Sequence, residues 1–270
     1  MNGNEKLDII VCLKPAPDPK RWDAIRLDPV TKSLQREGIP TVLGPLDKRA
    51  LEEGLRIKET QGGKVAVLSM APPSTRDTLL EALGMGADEA FLLSDRAFAG
   101  SDTWSTSLTL SKAVQKLGGF DLILCGGWSL DGSTGQVGAQ LAEFLGIGNV
   151  PGVIAVEKIK EGILRTKSRT ESGYWILETP LPALLSVSRE INTPRFTSLF
   201  GVMEAESKPL VTWSANDLGL SQEDVGFRGS PTQTGELFIP DMKRRAEILS
   251  GEPEEMVKKI LHEIRRAIGS

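Results

Sequence analysis

Through the first half of the chain, short runs that are apolar at every position alternate with longer stretches in which apolar residues return every three or four positions. The runs 'DIIVCLK' (8–14), 'KVAVLSM' (64–70), 'EAFLLSD' (89–95) and 'FDLILCG' (120–126) read as strands buried on both faces. Between them, Leu46, Ala50, Leu51 and Leu55 form one helical stripe that opens at Gly44-Pro45 and stops at Gly62-Gly63, with proline at a first-turn position that suits its missing N–H. Ser74 and Asp77 have capping-box spacing ahead of 'TRDTLLEALGMG', and Ser101 or Asp102 can cap a helix over 103–117 whose stripe is Leu110, Ala113, Val114 and Leu117. A fourth helix, 'QVGAQLAEFLG', starts from about Thr134 or Gln136. Four such strand–helix units predict an α/β fold with a doubly wound parallel sheet, which binds ligands beyond the carboxyl ends of its strands. The polar, proline-containing segment 15–40 is too long for a simple turn, and long loops often carry function.

After Gly148 the pattern changes. 'VIAVEKI', a turn at Glu161-Gly162, 'ILRTKSRT' and 'GYWILET' alternate like an antiparallel meander, and 'LPALLSVS' (181–188) reads as a further buried strand. Residues 189–209 show no clear period, and 209–250 carry prolines, glycines and lone aromatics without a core of their own. This predicts an arm that lies on something else. The last helix, 254–268, puts Met256, Val257, Ile260, Leu261, Ile264 and Ile268 on one stripe, with glutamates at its start and Arg265-Arg266 near its end to suit the macrodipole.

Composition removes several function classes. A net charge of −4 with both signs interspersed leaves no footprint for nucleic acid, and no run reaches the roughly 18 apolar residues that span a bilayer. The polar start 'MNGNEKLD' carries no export signal, so the cytoplasm is the expected location. Two cysteines, Cys12 and Cys125, that are not a C-x-x-C pair, and the single His262, supply neither a zinc site nor a histidine triad.

The chemistry therefore concentrates in 'CGGWSLDGSTGQVG' (125–138), which follows the fourth strand and feeds a helix, so that its backbone N–H groups point where a phosphate would sit. Gly126, Gly127, Gly132 and Gly135 allow close backbone approach. Ser129, Ser133 and Thr134 add hydroxyl donors, while Asp131 either holds the loop or bonds a ribose. No G-K-[ST] or G-x-G-x-x-G is present, which argues against an ordinary P-loop enzyme or an NAD dehydrogenase.

'DGSTGQVG', 'GPLDKRALEEGLRIKE', 'VLSMAPP', 'ALGMGAD' and 'REINTPRF', in this order over roughly residues 7–210, resemble the beta subunit of electron transfer flavoproteins. The resemblance implies a non-enzymatic electron carrier that pairs with an alpha subunit, shares that subunit's redox-active FAD, and binds AMP or a second FAD in its own doubly wound domain. By position, Cys12, Gly44, Pro45, Leu46, Asp47, Met70, and the run Gly126, Gly127, Trp128, Ser129, Leu130, Asp131, Gly132, Ser133, Thr134, Gly135, Gln136 and Val137 would line that nucleotide. The loop 189–203 would dock on flavin-dependent dehydrogenases such as acyl-CoA dehydrogenases through Leu199. The implied domains are 1–208, with an antiparallel extension from about 150, and an arm and helix at 209–270 packed on the alpha subunit. Two departures stand out, Gly44 where the family usually has asparagine, and Gly127-Trp128-Ser129 where it usually has a basic residue and Gln-Ala. The wording of 'LDPVTKSLQREGIP' and of the glycine loop is closer to members from anaerobes, including electron-bifurcating ones.

Two other readings of the same loop are a nucleotide-hydrolysing or adenylating enzyme and a regulatory nucleotide-binding module without redox work. The first predicts a metal- or phosphate-handling cluster at the loop, and the loop offers no Lys or Arg. The second would stand alone, which the apolar stripe and arm at 209–270 argue against.

Overall fold

The computed structural model describes residues 6–24, 26–27, 34–35, 38–233, 235 and 246–269. The expected loop 15–40 thus lies partly outside the described residues. Strand β1 (Leu7–Cys12) is followed by β2 (Pro15–Pro17), β3 (Arg26–Leu27), β4 (Leu34–Gln35) and β5 (Thr41–Leu43), which pair as two small sheets, β2 with β5 and β3 with β4. Then α1 (Pro45–Gln61), β6 (Gly63–Met70), α2 (Arg76–Met85), β7 (Glu89–Leu93), α3 (Thr103–Leu117), β8 (Leu122–Gly126) and α4 (Val137–Leu145) alternate as the periodicity predicts. An antiparallel meander follows, β9 (Gly148–Lys160), β10 (Ile163–Arg169) and β11 (Tyr174–Pro180), its β9–β10 turn made by Glu161 and Gly162 at φ +52° and +70°.

Strand β12 (Ala183–Val187) does not extend the meander. It inserts between β8 and β9, parallel to both, because a strand apolar on both sides gains most by taking two neighbours and two covered faces. With β13 (Leu210–Trp213) at the far edge, the main sheet runs β11-β10-β9-β12-β8-β1-β6-β7-β13. The chain winds outward from β1 through β6 to β7, then returns to β8 on the other side of β1. The gap between β1 and β8 is therefore the topological switch point, where carboxyl strand ends splay to admit a ligand.

Alternate residues of each strand feed two cores. Ile9 and Val11 of β1 pack with Leu51 and Leu55 of α1 and with Leu79 and Leu83 of α2, while Ile10 and Cys12 pack with Leu110 and Val114 of α3 and with Leu141 of α4. Each such fully buried leucine or isoleucine stabilises the fold by about 1.5–3 kcal/mol. Asp102, rather than Ser101, caps α3, its carboxylate accepting from Ser105 N at 3.0 Å.

The structure departs from expectation in two places. The Ser74/Asp77 capping box does not form: a 3-10 turn over Pro73–Thr75 precedes α2, and Thr75 Oγ1 donates to Pro72 O at 2.7 Å. The start of the expected arm is instead an edge strand. β13 pairs parallel with β7, through Ala90 N to Pro209 O and Ser94 N to Trp213 O, both 2.9 Å, with the Trp213 ring 4.8 Å from Phe91. Ala215, Leu218, Leu220 and Val225 then bury themselves in the core beside α3, which lets a segment of scattered apolar residues borrow a core it cannot build.

The chain divides into two compact units, Met1–Gly235 and Glu236–Ser270. Helix α5 (Leu199–Ala205) belongs to the first and α6 (Pro253–Ile268) to the second. In α6 no residue is buried, and Val257, Ile260, Leu261, Ile264 and Ile268 are all exposed.

Candidate functional site at the sheet switch point

Strands β1 and β8 end side by side, with Cys12 in register with Cys125. Proline at the first turn of α1 starts that helix just beyond them, so Asp47 points back under the strand ends and is 6 % exposed. Its carboxylate accepts the Lys14 backbone N–H at 3.0 Å. Burial raises the Asp47 carboxyl to about 7, even though the Lys14 N–H, the Lys14 charge and the Gly126 N–H all act to lower it. Gly126 is required here: a Cβ on it would lie 2.6 Å from Asp47 Oδ1 and 2.9 Å from Leu46 Cβ. Asp47 thus ties together the ends of β1, β8 and α1.

Over these ends lies the loop from Gly127 to Gln136. Gly127 N donates to Val187 O at 3.0 Å, anchoring the loop's first residue to the end of β12. Asp131 Oδ1 accepts both the Gly132 N–H and the Lys14 Nζ, each at 2.7 Å. Burial works to raise the Asp131 carboxyl, but Lys14, the Gly132 N–H and Ser129 outweigh it and hold it below the usual carboxylate range. Ser133, at φ +49°, donates its hydroxyl to Ser129 O at 2.9 Å, and Gly135 follows at φ +65°. In α4 the bond from Gln140 N to Gln136 O, 3.1 Å, leaves the N–H groups of Val137, Gly138 and Ala139 ahead of it without ladder acceptors. Thr103 Oγ1 donates to Gln136 Oε1 at 3.1 Å, fixing the start of α4 to α3.

The other candidate residues fall around this centre. Leu130 Cγ is 3.6 Å from where a Cβ on Gly44 would lie, so the glycine loop and the start of α1 face each other directly. Met70 ends β6 and is partly buried, and Trp128 is half-exposed on the loop. Cys12 and Cys125 are buried, and burial pushes both thiols up, Cys125 to about 11, which leaves them protonated and unreactive at neutral pH. Among the described residues no group of three or more His, Cys, Asp or Glu could hold a metal ion.

Lys14 is the residue that sequence reasoning missed. The loop has no cation of its own, but the first residue past Leu13 supplies one from the neighbouring strand. Its signal, a lysine just beyond an apolar run, becomes legible only once β1 is known to lie beside β8.

Leu199 lies elsewhere, on α5, 76 % exposed beside Phe196, Phe200 and Met203, which are also exposed. A buried polar network holds the segment before it. Glu52 of α1 accepts from Arg195 N and Nε, at 3.0 and 2.8 Å, and from Arg56 Nε at 2.7 Å. Burial works to raise its carboxyl, and the two guanidiniums reverse the sign and hold it low. Asn192 Nδ2 donates to Glu53 Oε2 at 2.9 Å and to Arg49 O at 3.0 Å. Ser198 caps α5, accepting from Gly201 N at 3.0 Å, and Lys208 Nζ caps the end of α2 through Leu83 O and Ala87 O at 2.9 and 2.8 Å. Where α2 and α5 cross, a Cβ on Gly201 would stand 2.1 Å from Gly84 O. The helix is thus fixed at its start, middle and end.

A family model described as "Electron transfer flavoprotein domain" matches residues 31–218. The chain is 43 % identical over 259 residues to an electron transfer flavoprotein subunit beta of Thermoanaerobacterium thermosaccharolyticum, covering 96 % of this chain and 98 % of the relative. It is 43 % identical over 246 residues to the caffeyl-CoA reductase-Etf complex subunit CarD of Acetobacterium woodii, covering 90 % and 92 %, and 38 % identical over 246 residues to the protein FixA of Azorhizobium caulinodans, covering 88 % and 86 %.

Proposed function

The chain belongs to the electron transfer flavoprotein family as a beta subunit, an electron carrier, and from that premise we propose that it holds an adenine nucleotide, AMP or a second FAD, on the loop Gly126–Val137. The observation that carries this reading is the convergence at the switch point of a glycine loop, a helix start and a cation, Lys14, braced by Asp47 and Asp131. The free N–H groups at the start of α4 suit phosphate oxygens, and Gly44 and Leu130 frame the opening between α1 and the loop. Cys12 and Met70, at the ends of β1 and β6, form the apolar side of the same rim.

No residue here is asked to act as acid, base or nucleophile. A flavin, when bound, supplies the acceptance and release of electrons; the chain's residues bind, orient and shield it. We assign the shared FAD to the interface with an alpha subunit. The unit Glu236–Ser270, with the exposed apolar stripe of α6, is assigned to packing on that subunit. Leu199 and the aromatic residues around it are assigned to docking on flavin-dependent dehydrogenases, for which a display of exposed apolar side chains on a fixed helix is suited.

The test is to purify the chain with its co-expressed alpha partner, denature the complex and quantify the released nucleotides by chromatography. Two FAD per heterodimer place a second flavin on this chain, and one FAD with one AMP marks a single-flavin carrier. A heterodimer releasing only the alpha subunit's FAD would sink the proposal.

A further inference from the structure

We propose that Lys14 is the phosphate-binding cation of the nucleotide site and that Asp131 is its resident competitor, so that the pair sets how strongly the site holds phosphate. This deepens the reading of Gly126–Val137 as a nucleotide loop and rests on it.

Three observations carry the inference. Lys14 is positioned at its backbone by a buried group, Asp47, whose carboxylate takes the Lys14 N–H at 3.0 Å. The root of the side chain is therefore held at the end of β1 while its stem crosses to the loop. Second, its ammonium lies at the glycine turn itself: Nζ is 2.7 Å from Asp131 Oδ1 and 3.9 Å from where a Cβ on Gly132 would stand. A phosphate seated on this turn comes within reach of that charge. Third, the two partners are unequally exposed, the Lys14 side chain at 50 % and that of Asp131 at 15 %. The carboxylate is built into the loop through the Gly132 N–H, whereas half of the Lys14 side-chain surface stays open to solvent, from which a second anion can approach.

An ammonium has three donors and accepts more than one oxyanion partner. Asp131 uses one of them and repels an incoming phosphate of the same sign. Lys14 and Asp131 therefore act in opposite directions on a phosphate although they are bonded to each other. A purely structural pair would behave differently, since losing either member would loosen the loop in the same way.

The experiment uses the heterodimer with its alpha partner, stripped of the nucleotide on this chain. Isothermal titration calorimetry with adenosine, AMP and ADP is applied to the natural protein and to Lys14→Met, Lys14→Arg and Asp131→Asn. Lys14→Met is expected to weaken AMP and ADP by about 10- to 100-fold, the range of a charge-assisted hydrogen bond, and to leave adenosine within about 2-fold. Asp131→Asn, whose amide oxygen still accepts the Gly132 N–H, is expected to tighten AMP and ADP by about 3- to 10-fold, and Lys14→Arg to keep most of the natural affinity. Equal losses for adenosine and AMP in Lys14→Met, or a loss in Asp131→Asn matching that in Lys14→Met, would make the pair structural and overturn the proposal. So would AMP affinity unchanged by Lys14→Met. A natural heterodimer that binds none of the three probes is a separate result: it refutes the nucleotide reading itself, and this inference with it. Circular dichroism melts of each variant show whether a lost signal comes from a lost fold.

Discussion

Helix α1 carries three buried carboxylates, Asp47, Glu52 and Glu53, and the protein treats the first two in opposite ways. Glu52, 3 % exposed, meets two guanidiniums and the Arg195 N–H, and its carboxyl is held below the usual range. Asp47, 6 % exposed, meets backbone N–H groups with Lys14 as the one nearby cation acting on it, and burial lifts it to about 7. The first arrangement fastens the segment ahead of α5 through three charge-assisted hydrogen bonds to one carboxylate. The second supports a loop proposed to receive a charged ligand. Glu52 and Asp47 thus differ in how far the charge of a similar group on one helix is neutralised.

The largest expected effect comes from breaking the compensated side. Arg195→Ala leaves Glu52 with the Arg56 guanidinium and the backbone N–H at position 195, and is expected to destabilise the first unit by about 2–4 kcal/mol, read as a drop in the denaturation midpoint; the pair is partly open to solvent, which keeps the loss below that of a fully buried one. A shift under about 0.5 kcal/mol would show that the network merely decorates the surface. Next is the crossing of α2 and α5. Gly201→Ala forces a Cβ onto Gly84 O and is expected to cost about 1–3 kcal/mol and to loosen α5, seen as faster amide exchange over 199–205. Unchanged exchange there would remove the argument that α5 is presented rigidly.

Asp47 gives a smaller effect with a distinctive pH signature. Its folded value, about 7, lies above the ordinary aspartate value of about 3.8, so between the two the native state holds a proton there that the unfolded state has released. The stability it contributes is complete below about pH 4 and is lost as pH rises through about 7. Asp47→Asn cannot titrate. The stability of the variant relative to the natural protein should therefore climb between pH 4 and 7 and level off above, measured by urea midpoints across that range. A difference that is flat with pH would mean that Asp47 is solvated and that the contrast with Glu52 is false. Smallest in stability are Leu199→Ala and Phe200→Ser. Both side chains are more than three-quarters exposed, so the melting point should move by no more than about 0.5 kcal/mol equivalent while electron delivery from a partner dehydrogenase slows. Unchanged transfer rates would overturn the proposed docking role of Leu199 and α5.

Much of the fold was legible because local periodicity and capping agreed with the final packing. The strand and helix runs up to Leu145 are found where the pattern put them, and the loop after β8 was conspicuous because glycine and hydroxyl residues have no reason to follow an apolar strand unless backbone must be exposed. Three things were not legible. β13 escaped because 'LVTW' is too short to show a period and gains its stability from β7. Helix α5 escaped because its apolar face is turned to solvent, which inverts the usual signal. Lys14 escaped because its partner is 117 residues away, and no spacing rule spans that distance.

By itself, then, the sequence determined the alternation of elements, the place of the glycine loop at a strand's carboxyl end, and the family motifs, all of which are written in residues close together along the chain. The order of strands across the sheet was decided only in three dimensions. Inserting β12 between β8 and β9, and returning β8 to the free side of β1, are choices among sheet neighbours that near-uniform apolar strands do not distinguish locally; they follow from which arrangement gives the most apolar strands two neighbours and two covered faces. That choice brought Lys14, Asp47 and Asp131 together, because charged groups distant in sequence share a site only when the backbone ends that carry them become neighbours.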